Sequence, residues 1–218
     1  MAQKLAKFHS LDSPTPKDIT DKWIYNVIDD FLEMEQSPNG NGGVFDCVKG
    51  VYHMIESSEY ESLKRLDFSS QLFWVKKAIL RADKILVFSH SDLNRGNILI
   101  NENSGNLDIF FIDFDFSGHN FRGIDFGRYF SSWKQKDPNF GHEDYPTDQQ
   151  MYPFIDAYIE EWNRLTGNQF SKNELNSREH IIKEAKLFTL MGVLIDVLFC
   201  IWKVGAEPDS VQEFLVSQ

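Results

Sequence analysis

Residues suited to phosphoryl transfer stand together in the run His90-Ser-Asp-Leu-Asn-Arg-Gly-Asn97, directly after an apolar stretch. Asp92 and Asn97 are five positions apart and can face a common point, because Gly96 lets the loop turn tightly. Phosphoryl transfer needs one carboxylate that orients a substrate hydroxyl and accepts its proton, and further oxygen ligands for the magnesium that bridges the phosphates. Asp113 ends a later apolar run and is the second carboxylate of such a site.

Each of these motifs alone also has a plain structural reading. A His-x-Asp triplet occurs by chance, and an Asn after Gly more often marks a turn than a metal site. We interpret His90 as a structural brace of the loop rather than a proton carrier. The other histidines are scattered along the sequence and predict no metal site; they are His9, His53, His119, His142 and His180.

The elements around this loop follow from apolar spacing. Three short β-type runs predict strands, the last two joined as a hairpin by the turn residues 103–106; the runs are Lys84–Phe88, Asn97–Asn101 and Leu107–Ile112. Such a hairpin returns Asp113 to the edge that carries Asp92.

The rest of the chain has helical periodicity. In the first half, apolar residues predict helices over about 23–32, 44–55 and 68–81, with a surface turn at the Gly-rich cluster 39–43. Further helices are predicted near 123–134, 147–165 and 172–203, with breaks at 141–146 and 167–169. The sequence therefore predicts one mainly α domain over residues 1–218 with a small β-hairpin near its middle.

Composition excludes several classes of protein. The formal net charge of −11 argues against a nucleic-acid partner, which requires a basic face. Two cysteines without metal-like spacing indicate a reducing compartment. The apolar stretch 187–204 is interrupted by Asp196 and Lys203, so we read it as a buried helix rather than a membrane span. These features predict a cytoplasmic protein.

A longer segment carries a family resemblance. The run Ile112-Asp-Phe-Asp-Phe-Ser-Gly-His-Asn-Phe-Arg-Gly-Ile-Asp-Phe-Gly-Arg-Tyr-Phe-Ser-Ser-Trp133 resembles the signature of choline/ethanolamine kinases. That signature runs Ile-Asp-Phe-Glu-Tyr, then Asn-Tyr-Arg-Gly-Phe-Asp, then a Phe and a Trp. The segments Ala6–His9 and Lys22-Trp23 are similar to the start of that family's C-terminal lobe. The resemblance implies a protein-kinase-like fold, with the catalytic loop at 88–101, the metal and signature segment at 107–133 and C-terminal helices at 147–218.

The resemblance also implies roles for single residues. Asp92 is expected to be the catalytic base, and Asn97 and Asp113 the ligands of Mg²⁺ with ATP as co-substrate, with Asp115 near the metal. Arg122 and Asp125 are expected to brace the loop. The expected substrate-binding residues, of which the last two would form part of an aromatic cage for an ammonium group, are Asn94, Phe116, Phe199 and Trp202. Phe199 and Trp202 have an equally good reading as core residues.

Three departures from the family pattern affect the functional prediction. Phe116 replaces a Tyr, and Ser132 stands where the family usually has a Glu that lines the ammonium site. The family's β-rich N-terminal lobe, with its Gly-rich phosphate loop and strand Lys, is expected to be absent.

Two functions follow. One is phosphorylation of choline or ethanolamine with ATP in phospholipid synthesis, by a homodimer or together with an N-terminal lobe. The other is a catalytically impaired lobe that acts as a binding or regulatory partner. Another small-molecule kinase of the same fold, acting on a substrate without a cationic head group, is a more distant reading.

Overall fold

The computed structural model describes residues 1–18, 65, 67–103, 106–134 and 144–206, and of residues 68, 69, 103, 106 and 195–206 only the backbone. The helices predicted over 23–32 and 44–55 and the turn at 39–43 lie outside these residues. The chain divides into two compact units, Met1–Ile19 with Arg81–Gly192 and Thr20–Leu80 with Val193–Gln218. The candidate site belongs to the first unit.

The helix predicted over 68–81 is confirmed and spans Phe68–Arg81, all but its last residue in the second unit. Its N-terminus is capped by Asp67, whose Oδ1 accepts a hydrogen bond from the backbone N–H of Ser70 at 3.0 Å. This hydrogen bonding lowers the pKa of the Asp67 carboxyl, as capping by an ionised carboxylate does. Leu72, Val75 and Ile79 form the buried face.

The first unit contains two antiparallel strand pairs. The predicted hairpin is confirmed: β2 (Ile98–Asn103) pairs with β3 (Asn106–Phe111). The strand predicted at 84–88 is β1 (Leu86–Ser89), and it pairs with β4 (Gly118–Phe121). Strand β4 was not predicted, because its short polar run has no apolar alternation to mark it as a strand; the helix predicted near 123–134 is confirmed and spans Arg122–Ser131.

The helix Phe68–Arg81 of the second unit is α2. The described part of the first unit contains four more helices: α1 (Ala2–His9), α3 (Arg122–Ser131), α4 (Asp148–Thr166) and the first part of α5 (Arg178–Ala206). Thr147 and Gln150 form a capping box at the start of α4. Gly167 ends that helix in the left-handed conformation with φ of 59°. The predicted break at 167–169 is therefore confirmed.

Helix α5 begins later than the predicted residue 172. Two short 3₁₀ turns, Phe170–Lys172 and Glu174–Asn176, come first. The Asn173 side chain accepts a hydrogen bond from the Leu175 N–H, and this local bond competes with helix formation. No helix in the described part of the chain is long and apolar enough to cross a membrane.

The core of the first unit is rich in aromatic rings, in line with the 19 phenylalanines of the sequence. Phe126, Phe130 and Tyr158 are fully buried, and the rings of Phe126 and Tyr158 meet edge to face at 4.9 Å. Helices α3 and α5 approach so closely at Gly127 that a Cβ there would lie 2.5 Å from the backbone carbon of Phe188. This packing fixes α3 against α5.

Candidate functional site

The loop after β1 brings the predicted base and amide together. The Asn97 Nδ2 atom donates to Asp92 Oδ2 and to the Asp92 backbone oxygen, both at 2.9 Å. The Asn94 side chain accepts from the Gly96 N–H at 2.8 Å and caps the short 3₁₀ turn Arg95–Asn97, which sets the orientation of Asn97. Both of these Asn97 side-chain bonds use nitrogen, so Asn97 Oδ1 is the atom suited to ligate a cation.

Asp113 is anchored to this loop through the residue before it. The Ile112 N–H donates to the Asn97 backbone oxygen at 3.1 Å, and the His90 Nε2 atom donates to the Ile112 oxygen at 2.9 Å. Asp113 itself is exposed. The hairpin therefore brings Asp113 back beside the loop of Asp92 and Asn97, as the spacing predicted.

The donor set fits a magnesium ion in kind. Mg²⁺ is a hard cation that binds through one or two carboxylates and keeps several waters; Asn97 Oδ1 and the exposed Asp113 carboxylate are oxygen ligands of that kind. In the described part of the chain no three His, Cys, Asp or Glu side chains cluster as a metal site. A site with few protein ligands, one of them an amide, does not need such a cluster.

Two residues of this region have unusual backbone conformations. Ser91 has φ of 66° and Asp113 has φ of 63°, a left-handed region that is uncommon for residues other than Gly, although Asp tolerates it better than most. Such strain persists only where the surroundings enforce it, and it concentrates at functional sites. The conformations thus mark the same two segments that the motifs do.

Asp125 stabilises the conformation of the loop through hydrogen bonds to its backbone. Its carboxylate is fully buried and accepts hydrogen bonds from the N–H groups of His90 and Ser91, both at 2.8 Å. It also accepts one from the His9 Nε2 atom at 2.9 Å. The His9 Nδ1 atom lies 2.8 Å from the Tyr158 hydroxyl, and burial raises the pKa of that hydroxyl. Helices α1, α3 and α4 therefore jointly hold the loop.

The contact of His9 with Asp125 was missed from the sequence, where His9 appeared among the scattered histidines and at the end of the family-like segment Ala6–His9 but received no role. The signal available was the spacing of α1, in which Leu5 and His9 are four residues apart and both buried. Helical spacing would have placed His9 on the inner face of α1.

His90 is enclosed by aromatic side chains. Its ring packs against Phe8, Phe111 and Phe114, with centroid separations of 5.2–6.1 Å. Because Nε2 donates to a backbone carbonyl, the neutral ring carries its proton there, and the buried Nδ1 has no partner among the described residues. This environment suits a brace between the loop and the segment that ends at Asp113.

Arg122 does not brace the loop through its side chain. Its guanidinium is fully buried and donates to Glu184 Oε2 at 2.7 and 3.2 Å, to Asn176 Oδ1 at 2.7 Å and to the Leu175 oxygen at 2.9 Å. It therefore ties the start of α3 to α5 and to the turn before it, rather than to the loop as expected.

Arg128 is a second residue that the sequence did not reveal. Its Nη2 atom lies 2.6 Å from Asp92 Oδ1, and the two side chains are 17% and 22% exposed. Arg128 stands three positions after Asp125 on α3, so helical spacing places both on the side that faces the loop. Asp92 thus has Asn97 on one carboxylate oxygen and Arg128 on the other.

The remaining residues singled out from the sequence lie at the surface, at the end of α3 or in α5. Asp115 and Phe116 are exposed and lie in a turn between Asp113 and β4. Phe199 and Trp202 belong to the backbone of α5, but their side chains lie outside the described residues, so the cage stays a prediction. Ser132 ends α3, and its hydroxyl donates to the Arg128 and Tyr129 carbonyl oxygens.

Comparison with known proteins identifies the family. The family model for choline/ethanolamine kinase matches residues 1–214. The chain belongs to the choline/ethanolamine kinase family. It is 25% identical over 226 residues to a choline/ethanolamine kinase of Homo sapiens, a match covering 98% of this chain and 51% of that one. It is 28% identical over 161 residues to a probable ethanolamine kinase of Arabidopsis thaliana, covering 73% and 38%.

Solved structures agree on the fold. A choline kinase from Cryptosporidium parvum superposes with a TM-score of 0.53 at 23% identity, over 94% of this chain and 58% of that one. A Plasmodium vivax ethanolamine kinase superposes with a TM-score of 0.58 at 18% identity, over 94% and 52%. The chain spans about half the length of curated relatives that it matches, among them the Homo sapiens choline/ethanolamine kinase and a Mus musculus choline kinase alpha.

Proposed function

We propose that this family member transfers the γ-phosphoryl group of ATP to the hydroxyl of choline or ethanolamine, a step of phospholipid synthesis. The observation that carries the proposal is the convergence of Asp92 and Asn97 on one loop, with Asp113 anchored to that loop through Ile112. These are the base, amide and carboxylate that phosphoryl transfer requires. Family membership makes the reaction class the natural one.

The residues have distinct parts in this reaction. Asp92 orients the acceptor hydroxyl and takes its proton as the oxygen–phosphorus bond forms; each carboxylate oxygen accepts one hydrogen bond already and has a second lone pair for the hydroxyl. Asn97 Oδ1 and Asp113 hold Mg²⁺, with Asp115 close by. A bound Mg²⁺ would neutralise charge on the phosphates. Asp125 and His90 keep the loop in the conformation that presents Asp92.

The chain corresponds to the C-terminal lobe of a kinase-like fold, since it carries the catalytic loop and the hairpin that ends at Asp113. ATP binding then involves a further lobe, from the same chain, from a partner or in a homodimer. The cytoplasm is the proposed compartment.

A second candidate function has one observation in its favour. Arg128 occupies the carboxylate oxygen Asp92 Oδ1 at 2.6 Å, which an inactive, ligand-binding relative could tolerate permanently. In that case the loop serves as a binding module rather than a catalyst.

The test is ATP-dependent phosphorylation of choline and of ethanolamine by the purified protein with Mg²⁺. We expect Asp92→Asn to abolish turnover without unfolding the protein, while Asp108→Asn, which alters an exposed acid on β3, leaves turnover unchanged. Asp113→Ala should raise the Mg²⁺ concentration needed for half-maximal rate. A folded, monodisperse protein without turnover would favour the binding module, and an Asp92→Asn variant with parental turnover would remove Asp92 from the base role.

A further inference from the structure

We propose that Phe8, on helix α1, positions Asp113 for metal binding by packing against the ring of Phe114. The inference rests on the proposed function in one respect, since it takes Asp113 as a ligand of Mg²⁺. It goes further by giving a role to α1, a helix that carries none of the groups assigned to the reaction. Phe8 acts through Phe114 and is therefore a positioning residue.

Asp113 needs support from its neighbours. Its side chain is exposed, and its φ of 63° is uncommon for a residue other than Gly and persists only where the surroundings enforce it. On one side the Ile112 N–H donates to the Asn97 backbone oxygen at 3.1 Å. The residue on the other side, Phe114, has to hold the remaining end of this short segment.

Phe114 is held by two rings. Its ring stacks on the Phe8 ring with centroids 5.8 Å apart and an interplanar angle of 22°, and its centroid lies 5.2 Å from that of the His90 ring. Because Phe114 is 49% exposed, these two contacts lie on its covered half. Removal of the Phe8 ring would therefore give Phe114, and Asp113 with it, more freedom to move.

Phe8 also contacts rings on both strands that lead to the site. Its ring centroid lies 5.2 Å from that of Phe88 on β1, and it meets Phe111, the last residue of β3, edge to face at 5.9 Å. Aromatic pairs at such separations stabilise beyond the area they bury. One ring thus links the strand before the loop of Asp92 to the strand before Asp113.

The preceding turn of α1 fixes Phe8 along β3. Lys4 is four residues before Phe8 and so lies on the same face of the helix. Its ammonium donates to the Ile109 backbone oxygen and lies 4.6 Å from the centre of the Phe110 ring. Both partners belong to β3, so α1 follows this strand and Phe8 reaches the end from which Asp113 continues.

The experiment measures the dissociation constant of Mn²⁺ by electron paramagnetic resonance, because Mn²⁺ takes the same oxygen ligands as Mg²⁺. The purified chain is compared with Phe8→Leu, Phe114→Leu and the double variant. We expect each single variant to bind Mn²⁺ roughly threefold to tenfold more weakly. The double variant should be no weaker than Phe114→Leu, because the two substitutions remove the same contact.

Two control variants locate the effect. Asp113→Asn should lose most of the Mn²⁺ affinity, which assigns the ion to this carboxylate. Ile181→Val truncates a fully buried residue of the same core and should keep the parental affinity. Hydrogen exchange at the Ile112 amide needs no metal, and it should be faster in Phe8→Leu than in Ile181→Val.

The outcomes separate this proposal from the proposed function. Parental Mn²⁺ affinity in Phe8→Leu, additive losses in the double variant, or an equal loss in Ile181→Val overturns the positioning role and leaves the kinase activity standing. Unchanged affinity in Asp113→Asn, or a parent that binds no Mn²⁺, overturns it as well. The expected Mn²⁺ pattern in a folded protein without turnover supports the positioning role and contradicts only the kinase activity.

Phe114→Leu keeps the test decisive if Phe8→Leu is too unstable to measure. It alters a side chain that is already half exposed, so the variant is expected to fold. Weaker Mn²⁺ binding with faster exchange at the Ile112 amide then supports the proposal, and parental values of both overturn it.

Discussion

The two arginines of α3 have the same chemistry and opposite settings. Arg122, at the start of the helix, is fully buried and donates hydrogen bonds to Glu184, Asn176 and a backbone carbonyl. Arg128, near the end of the helix, is partly exposed and meets the candidate base Asp92. The comparison shows that the two ends of α3 differ: the first turn is built into the scaffold, and the last turn lies against the candidate site.

The largest expected effect comes from the buried arginine. Arg122→Met should lower the free energy of unfolding by about 3–5 kcal/mol, because it leaves the Glu184 carboxylate buried without its cation. Urea denaturation followed by circular dichroism measures this. The double variant Arg122→Met with Glu184→Leu is the matched control and should recover much of the loss; a single variant as stable as the parent would contradict the scaffold role.

The second largest loss of stability is expected from substitution of Asp125, one turn further along α3. Asp125→Ala removes the acceptor of two loop N–H groups and of His9, and leaving buried donors unpaired costs about 3 kcal/mol. Hydrogen exchange should show faster exchange at the His90 and Ser91 amides than at amides of α4. Slow exchange at those amides in the variant would mean that the loop keeps its conformation without Asp125.

Gly127, between the two ends of α3, tests the close approach to α5. Gly127→Ala should cost about 1–3 kcal/mol, since its Cβ would overlap the backbone of Phe188 and Thr189 and force the helices apart. Gly167→Ala is the control. Its Cβ would meet nothing within 4 Å, so that variant should lose only about 1 kcal/mol for the left-handed backbone. Thermal unfolding that ranks the two in reverse order would contradict the overlap.

The smallest loss of stability is expected from substitution of Arg128, the arginine that contacts Asp92. Arg128→Gln should change the free energy of unfolding by about 1 kcal/mol or less, since partly exposed ion pairs contribute little. The same denaturation series measures it alongside Arg122→Met. A loss as large as that of Arg122→Met would remove the distinction between scaffold and site arginines.

The sequence could predict those parts of the site whose residues lie close together along the chain. The hairpin followed from two apolar runs and a turn, and the meeting of Asp92 with Asn97 followed from their positions on one short loop. His9 and Arg128 could not be placed that way, because their partners Asp125 and Asp92 are 116 and 36 positions away. Only the packing of helices brings those pairs together, and local patterns do not specify it.

Strand β4 was missed for a related reason. Its four residues, Gly118–Phe121, have no alternation of their own, and the segment becomes a strand through hydrogen bonds to β1. Tertiary context overrides weak local preference in such short elements. The resemblance to the family pointed to the functional segment, but not to which of its residues are buried as scaffold.

The link from His9 to Tyr158 also bears on how the protein is made. The two residues are 149 positions apart, and at ordinary rates of translation this separation takes on the order of ten seconds to synthesise. During that time the ribosome has released α1, with Leu5 and Ala6 still lacking the helix that buries them. Asp125 emerges before Tyr158, so the loop 90–97 and its acceptor Asp125 are synthesised before α4 can hold His9 against them. The nascent chain is therefore expected to expose the inner face of α1 until α4 has emerged.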